Sequence, residues 1–497
     1  MVRTETDNIF LKSLLQQEGI PLTDERSKPE VFIEQKNGQL ILSSFQHPEI
    51  NFTSKSARVK FITSDSENFF RNTSLVDINE RCQIPNLASI GRTERGLPFV
   101  CYQDDMLILP FNLSRLLKHR GKQTKQFYAK QGRCPTEIVA RTDRGGVRRI
   151  FANCLRQFLN RRNLPYIHLS YVPKNCRSLF GFRIDTDYSQ IQLLTKCAKI
   201  ARNLNMAWTW FIMTAGINGN FADLKNALSG QDIQVHCHRH TVFPDLKRNI
   251  RNYSIALNKL KLIGVAATGV AAPYGEWNEE LDRAFAQLGF SFSSEFCYGY
   301  DDLPSRPIIH GQFSPILQIP VHPISIGRLV WAKMDESQMI EYYRNIIDLQ
   351  VARGEPCFLY DHPEKIIKFS AVVKAIIEYG LNRCGNWITL TEFNNWWQRR
   401  EKVKYQCRIE NNCLELIVIN GFPDVELIIE FENSIARIPL NSGKYPIDQL
   451  NWEPAEIVPC PVDLTKIRQP SLRTRFQNII WTTQRKLRTL KENIYLK

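Results

Sequence analysis

The sequence predicts an α/β protein with a parallel sheet at its centre and β-rich flanks. Three observations carry that expectation. Between residues 178 and 397, short apolar runs alternate with helical stretches, the signature of a doubly wound sheet or of a barrel. On either side of that region the pattern changes to period two, with Asn-Gly or Asn-Asn pairs between apolar runs. The 497 residues are 43% hydrophobic and 11% aromatic, enough for two or three folding units with a sizeable core, so disordered, collagen-like and low-complexity chains are excluded.

Taken in order, residues 31–42 form two apolar runs around Asn37-Gly38, a strong hairpin signal. Further strands are expected at 99–102 and 106–111, giving a β-rich unit over residues 1–112. A basic helical connector follows at 113–177, in which Val147, Ile150, Phe151, Cys154, Leu155, Phe158 and Leu159 make one apolar stripe. Its arginines fall mostly elsewhere on the wheel, as in a docked helix with a solvated basic face or one that meets an anionic partner. In the α/β unit, 178–400, strands are expected at 182–184, 207–213, 233–235, 264–267 and 357–360. Helices are expected at 189–203, 245–262, 279–288 and 337–353. Residues 401–460 read as a small β domain with a hairpin at Asn411-Asn412, and 461–497 as a basic amphipathic tail.

The net charge of +15 is local. Residues 113–177 carry 16 Lys/Arg against Glu137 and Asp143, and residues 463–497 carry 9 against Asp463 and Glu492. The remainder of the chain is mildly acidic. The thirteen cysteines are scattered and never spaced Cys-x-x-Cys, which reads as reduced thiols. No apolar run approaches the 18 or so residues of a spanning helix, and the N-terminal residues offer no signal-peptide core. The expected location is therefore cytoplasmic.

Three segments at expected strand ends carry chemistry. Asp185 and Asp187 stand at i and i+2, so on extended chain they share a side. One could bind a metal while the other faces a water, although the same pair suits a loop start or a helix cap. Residues 236–240 hold three of the nine histidines, and His236 with His240 or His238 could reach one ion from a strand or from a helical turn. The third segment is the apolar run 357–360, which ends in Asp361-His362-Pro363. A histidine at such a place is often only a polar terminus.

In order and spacing these segments resemble the NodB-homology polysaccharide deacetylases, carbohydrate esterase family 4. The matching features are Asp185 and Asp187, His236 and His240, the turn Pro273-Tyr274-Gly275, and the run from Leu359 to His362. The resemblance spans about residues 178–397 and implies a distorted (β/α) barrel. It also implies one divalent metal, usually Zn2+, on Asp187, His236 and His240. By the same resemblance Asp185 is the general base, His362 the general acid and the Tyr274 N–H an oxyanion donor. Three departures stand out: Thr186 separates the aspartates, Ala271 replaces an arginine that steadies the base, and His238 is an additional imidazole. Arg183 shares Asp185's side of the strand if that strand is regular.

The resemblance implies a hydrolase of carbon–nitrogen amide bonds, removing an N-acetyl group from an amino sugar, glycan or glycan precursor. Loss of the arginine at 271 leaves open a carbohydrate-binding pseudoenzyme. The basic segments fit an anionic precursor or an anionic membrane surface at the inner face of the membrane. A nucleic-acid-binding protein is the remaining class; no nucleic-acid motif accompanies the charge, so no nucleic-acid partner is expected.

Overall fold

The computed structural model describes residues 2–4, 8–21, 30–48, 52–63, 69–73, 75–127, 134–217 and 221–458, with scattered helical positions between 476 and 487. The rest of the basic tail, including Leu490 and Ile494 of its apolar stripe, lies outside the described residues. Among the described residues no helix is long and apolar enough to cross a membrane.

The expected hairpin forms between Val31–Lys36 and Gln39–Ser43. Asn37 and Gly38 both take positive φ, which matches the turn to the strand twist. It belongs to an eight-stranded sheet that also contains Pro98–Gln103 and Met106–Leu109. The amphipathic stripe on the next segment also forms, as the helix Arg144–Asn160, and its apolar residues complete the core of this sheet. Its basic face is not solvated, however. Arg148, Arg149 and Arg156 are buried among carboxylates from three other parts of the chain. The apolar stripe alone could not reveal that both faces of the helix are covered.

At the centre seven strands run parallel in a curled, half-barrel sheet. Their spatial order is Leu317–Gln318, Phe292–Ser293, Gly269–Val270, Asp232–Cys237, Thr209–Met213, Phe180–Asp185, Cys357–Asp361. Successive strands add in one direction and the last returns beside the first. That is barrel order, not the mid-sheet reversal of a doubly wound fold. The two outer strands do not pair, but the His322 N–H donates to the Phe358 carbonyl at 2.8 Å across the gap. The four expected helices form as Ile191–Asn203, Leu246–Leu262, Glu279–Gln287 and Glu336–Arg353.

One strand is displaced from its expected place: residues 264–267 are irregular, and pairing starts at Gly269. The side-chain oxygen of Gln234 accepts from the backbone N–H groups of Thr268 and Gly269, which ends the approach segment there. A Cβ at Gly269 would lie 2.1 Å from the Phe292 ring, which packs over the bare glycine backbone.

The hairpin at Asn411-Asn412 joins Lys404–Glu410 to Cys413–Asn420, both asparagines again at positive φ. A separate sheet pairs Glu426–Phe431 with Ser434–Pro439 and takes Tyr166–Leu169 as an added strand. These C-terminal strands share one continuous apolar core with the half-barrel.

Candidate metal centre

The residues singled out in the sequence collect at the carboxyl ends of the parallel strands. Phe180–Asp185 ends at Asp185, and Asp187 lies beyond it in a turn with φ of 44°. The two aspartates therefore do not converge by sharing a strand face, as expected from their spacing. The turn brings them together, and Thr186 pins it: its hydroxyl donates to the Phe211 carbonyl and accepts from the Met213 N–H. The histidines likewise follow neither simple pattern. His236 is on the strand Asp232–Cys237, while residues 238–240 bend away from it and carry His240 back. His238 is left outside, hydrogen-bonded through Nδ1 to the Thr214 hydroxyl at 2.9 Å.

Asp187, His236 and His240 form a group of metal-ligand type. Asp187 Oδ1 lies 3.2 Å from His236 Nε2 and 3.0 Å from His240 Nε2. Two ligands at about 2.0–2.1 Å from one tetrahedral ion stand roughly 3.3 Å apart, so the group has the spacing of a zinc-like site. The donor chemistry fits as well. His236 Nδ1 faces the Ala271 carbonyl at 2.7 Å, which turns Nε2 toward Asp187 Oδ1. Both of those atoms are buried and without a hydrogen-bond partner among the described residues, and imidazole nitrogens with a carboxylate oxygen are a donor set that suits a zinc-like cation.

Asp185 is fully engaged by Arg183. The guanidinium Nε donates to Oδ1 at 2.7 Å and a terminal nitrogen to Oδ2 at 2.6 Å. The strand is regular here, so i and i+2 share a face and Arg183 reaches the Asp185 carboxylate. Burial alone would raise the Asp185 carboxyl, but Arg183 and His236 hold it below the ordinary carboxylate range. His362 caps the helix Pro363–Lys368, with Nε2 at 3.7 Å from Asp187 Oδ2. Burial would lower its imidazole, yet Asp187 and Asp361 outweigh that and push it up to about 9. Tyr274 sits in a left-handed turn at φ 61°, with its ring against His240.

These groups line a cavity of about 410 Å3. Sequence reasoning missed part of its wall. Glu137, on the hairpin between Lys122–Gln126 and Thr136–Ala140, holds Arg328 through two bonds of 2.6 and 2.7 Å at the cavity. Trp331 also lines it and is 52% exposed. No short motif signals either, because both depend on long-range packing. Two other polar groups of the half-barrel, His322 and Asp302, are not in this wall. His322 is buried between Asp301 and the Tyr342 hydroxyl, and Asp302 binds Arg148.

Glu295 lies deep under the site, accepting from the Ala272 N–H at 3.1 Å. Burial pushes its carboxyl from 4.5 up to about 8, against the opposing pull of Ser293 and Arg183. The folded chain thus keeps a proton that the unfolded chain releases near 4.5, so this group costs stability as pH rises from about 4.5 to about 8. Glu295→Gln is expected to flatten that part of the stability profile in denaturant titrations at pH 5 and pH 8. A slope identical to wild type would show that Glu295 is already ionised in the fold.

No known family profile matches the sequence, and no curated protein matches it. Solved structures of carbohydrate esterase family 4 do match in part. A Mycobacterium smegmatis protein provisionally classed as a polysaccharide deacetylase is 15% identical, with a TM-score of 0.37 over 48% of this chain and 96% of that one. The peptidoglycan deacetylase PdaC from Bacillus subtilis is 13% identical, with a TM-score of 0.29 over 45% and 93%. A family 4 pseudoenzyme from Bacillus anthracis is 12% identical, with a TM-score of 0.30 over 44% and 65%.

Proposed function

We propose that this protein is a metal-dependent deacetylase that hydrolyses an N-acetyl group on an amino sugar, glycan or glycan precursor. The observation that carries the reading is the convergence of His236 Nε2 at 3.2 Å and His240 Nε2 at 3.0 Å on the same oxygen, Asp187 Oδ1, a spacing of metal-ligand type. A divalent ion such as zinc, held by Asp187, His236 and His240, would supply Lewis acidity toward a carbonyl oxygen and acidify a water.

The chain's own groups do the rest. Asp185, ionised and fixed by Arg183, accepts the proton of the attacking water as its oxygen bonds the amide carbon. The Tyr274 N–H donates to the oxygen on which negative charge develops. His362 gives a proton to the departing amine as the C–N bond breaks, releasing acetate and the free amino group. Trp331 offers a flat apolar face to a sugar ring at the cavity wall. The binding-only alternative was motivated by Ala271, and the Arg183 clamp on Asp185 favours turnover over it. Attachment to an anionic membrane surface draws no support from the helix Arg144–Asn160, whose arginines at 148, 149 and 156 are buried.

Purified protein loaded with zinc and desalted is expected to retain about one ion per chain. The double substitution His236→Ala with His240→Ala is expected to lose it while the circular dichroism spectrum is kept. Full retention by the double variant would sink the site. Retention by His236→Ala alone, with loss only when His238 is also replaced, would make His238 a ligand.

A further inference from the structure

A second cavity, also of about 410 Å3, shares no residue with the metal centre. It lies where the helix Arg144–Asn160, the sheet containing Glu426–Phe431 and the end of the helix Glu336–Arg353 meet. Helical spacing places positions 148, 149, 152, 153 and 156 on the side facing it. On the sheet, Ile428 pairs with Arg437 and Glu430 with Ile435, so these four side chains share the facing surface. His168 stands opposite Ile428 on the added strand.

Seven arginines line this cavity against four glutamates, and one of the seven, Arg148, is also paired with Glu18 and Asp302 outside the wall. Glu355 is taken by Arg148 and Arg149. Glu430 serves Arg156 at 2.9 Å and His168 at 3.2 Å, which leaves Arg71 at 3.8 Å, beyond hydrogen-bond length. Arg437 is exposed and makes no ion pair among the described residues, whereas the Nε groups of Arg149 and Arg156 are buried and find no acceptor among them. Buried donors without acceptors are costly, and these two would be satisfied by the oxygens of a bound group.

We propose that this cavity binds a small phosphorylated anion, with phosphate oxygens accepting from Arg71, Arg156 and Arg437. Guanidinium forks converging from separate elements match the several acceptor oxygens and multiple charge of a phosphate better than one planar carboxylate. Tyr171, Val351 and Ile435 leave an apolar wall for an organic portion, and the volume is that of a small-molecule site.

Calorimetric titration of the full chain with pyrophosphate, at constant ionic strength, is the test, with inorganic phosphate and citrate as comparison probes. One saturable site is expected, tighter for pyrophosphate than for citrate, and weakened roughly tenfold or more by Arg71→Gln or Arg437→Gln. Because pyrophosphate also chelates metals, the titration is repeated on the His236→Ala/His240→Ala variant, where binding is expected to persist. Loss of binding in that variant would place the anion on the metal and overturn the cavity assignment. So would absence of saturable binding to wild type, or unchanged affinity in both arginine variants. Citrate binding more tightly than pyrophosphate would overturn the phosphate class. Metal retention by the arginine variants reports that they have folded.

Discussion

Asp185→Asn is expected to lower turnover by ~10² to 10⁴ while leaving the metal in place, the usual contribution of a positioned general base. The side chain that changes is held by Arg183 and is not one of the three converging ligand groups. Asparagine keeps the size and one acceptor oxygen, so the pocket should survive, but it cannot take the proton of the attacking water. The readout is acetate released from a panel of N-acetylated oligosaccharides and sugar nucleotides, beside metal analysis of each variant. Arg183→Met adds a signature that a merely structural arginine would not give. Arg183 opposes the effect of burial on Asp185, so its removal raises that carboxyl. The acid limb of the kcat/KM profile should then move to higher pH. His362→Ala should also keep metal and slow amide cleavage more than ester cleavage, because an alkoxide needs less help to depart. Metal lost in Asp185→Asn but kept in Asp187→Asn would reverse the two aspartates. A metal-replete wild type that releases no acetate across the panel would favour the binding-only reading.

What the sequence made legible was the set of chemical groups, and less of how the backbone delivers them. Residue type and spacing single out the aspartate pair and the three histidines, the resemblance implies Asp187, His236 and His240 among them as ligands, and these three converge. The spacing argument nevertheless assumed regular strand or helix, whereas a left-handed turn at Asp187 and a bend after Cys237 do the work. Turns of this kind depend on contacts such as Thr186 with Phe211 and Met213, more than twenty residues away, which a local pattern does not encode. Local signals succeeded where the physics is local: Asn37-Gly38 and Asn411-Asn412 specify turn geometry by themselves. They failed where burial is set by distant chain. The arginines of the helix Arg144–Asn160 read as a solvated face because the one acidic residue beside them in sequence, Asp143, is taken up as the helix cap. Their partners Glu18, Asp302, Glu355 and Glu430 lie about 130 to 280 residues away.

Arg148 is where that distant pairing has the largest expected effect on stability. Its guanidinium lies inside the fold and donates to Asp302 Oδ1 at 2.6 Å, to Glu18 Oε1 at 2.6 Å and to Glu355 Oε1. Glu18 comes from the N-terminal helix Ile9–Glu18, whereas Asp302 and Glu355 come from loops of the half-barrel region. One cation thus neutralises carboxylates from separate parts of the chain. Glu18 gains further donors in Tyr166 and Tyr171 at 2.6 and 2.5 Å, and Glu355 in Arg149, but Asp302 has no second cation within ion-pair distance among the described residues. Arg148→Met keeps much of the side-chain volume and removes the charge, so it strands buried carboxylates and is expected to cost about 3–5 kcal/mol. The pH dependence separates this cause from simple packing loss. Without the cation the carboxyls rise, and the folded variant holds protons that its unfolded chain has released. Its deficit should therefore grow from pH 5 to pH 8. Adding Glu18→Gln and Asp302→Asn to Arg148→Met should recover part of the loss, since the stranded charges then no longer exist. Denaturant titrations of the three proteins at both pH values provide the comparison. A deficit of under about 1 kcal/mol that does not change with pH would mean that water reaches these carboxylates and that Arg148 is not their essential partner.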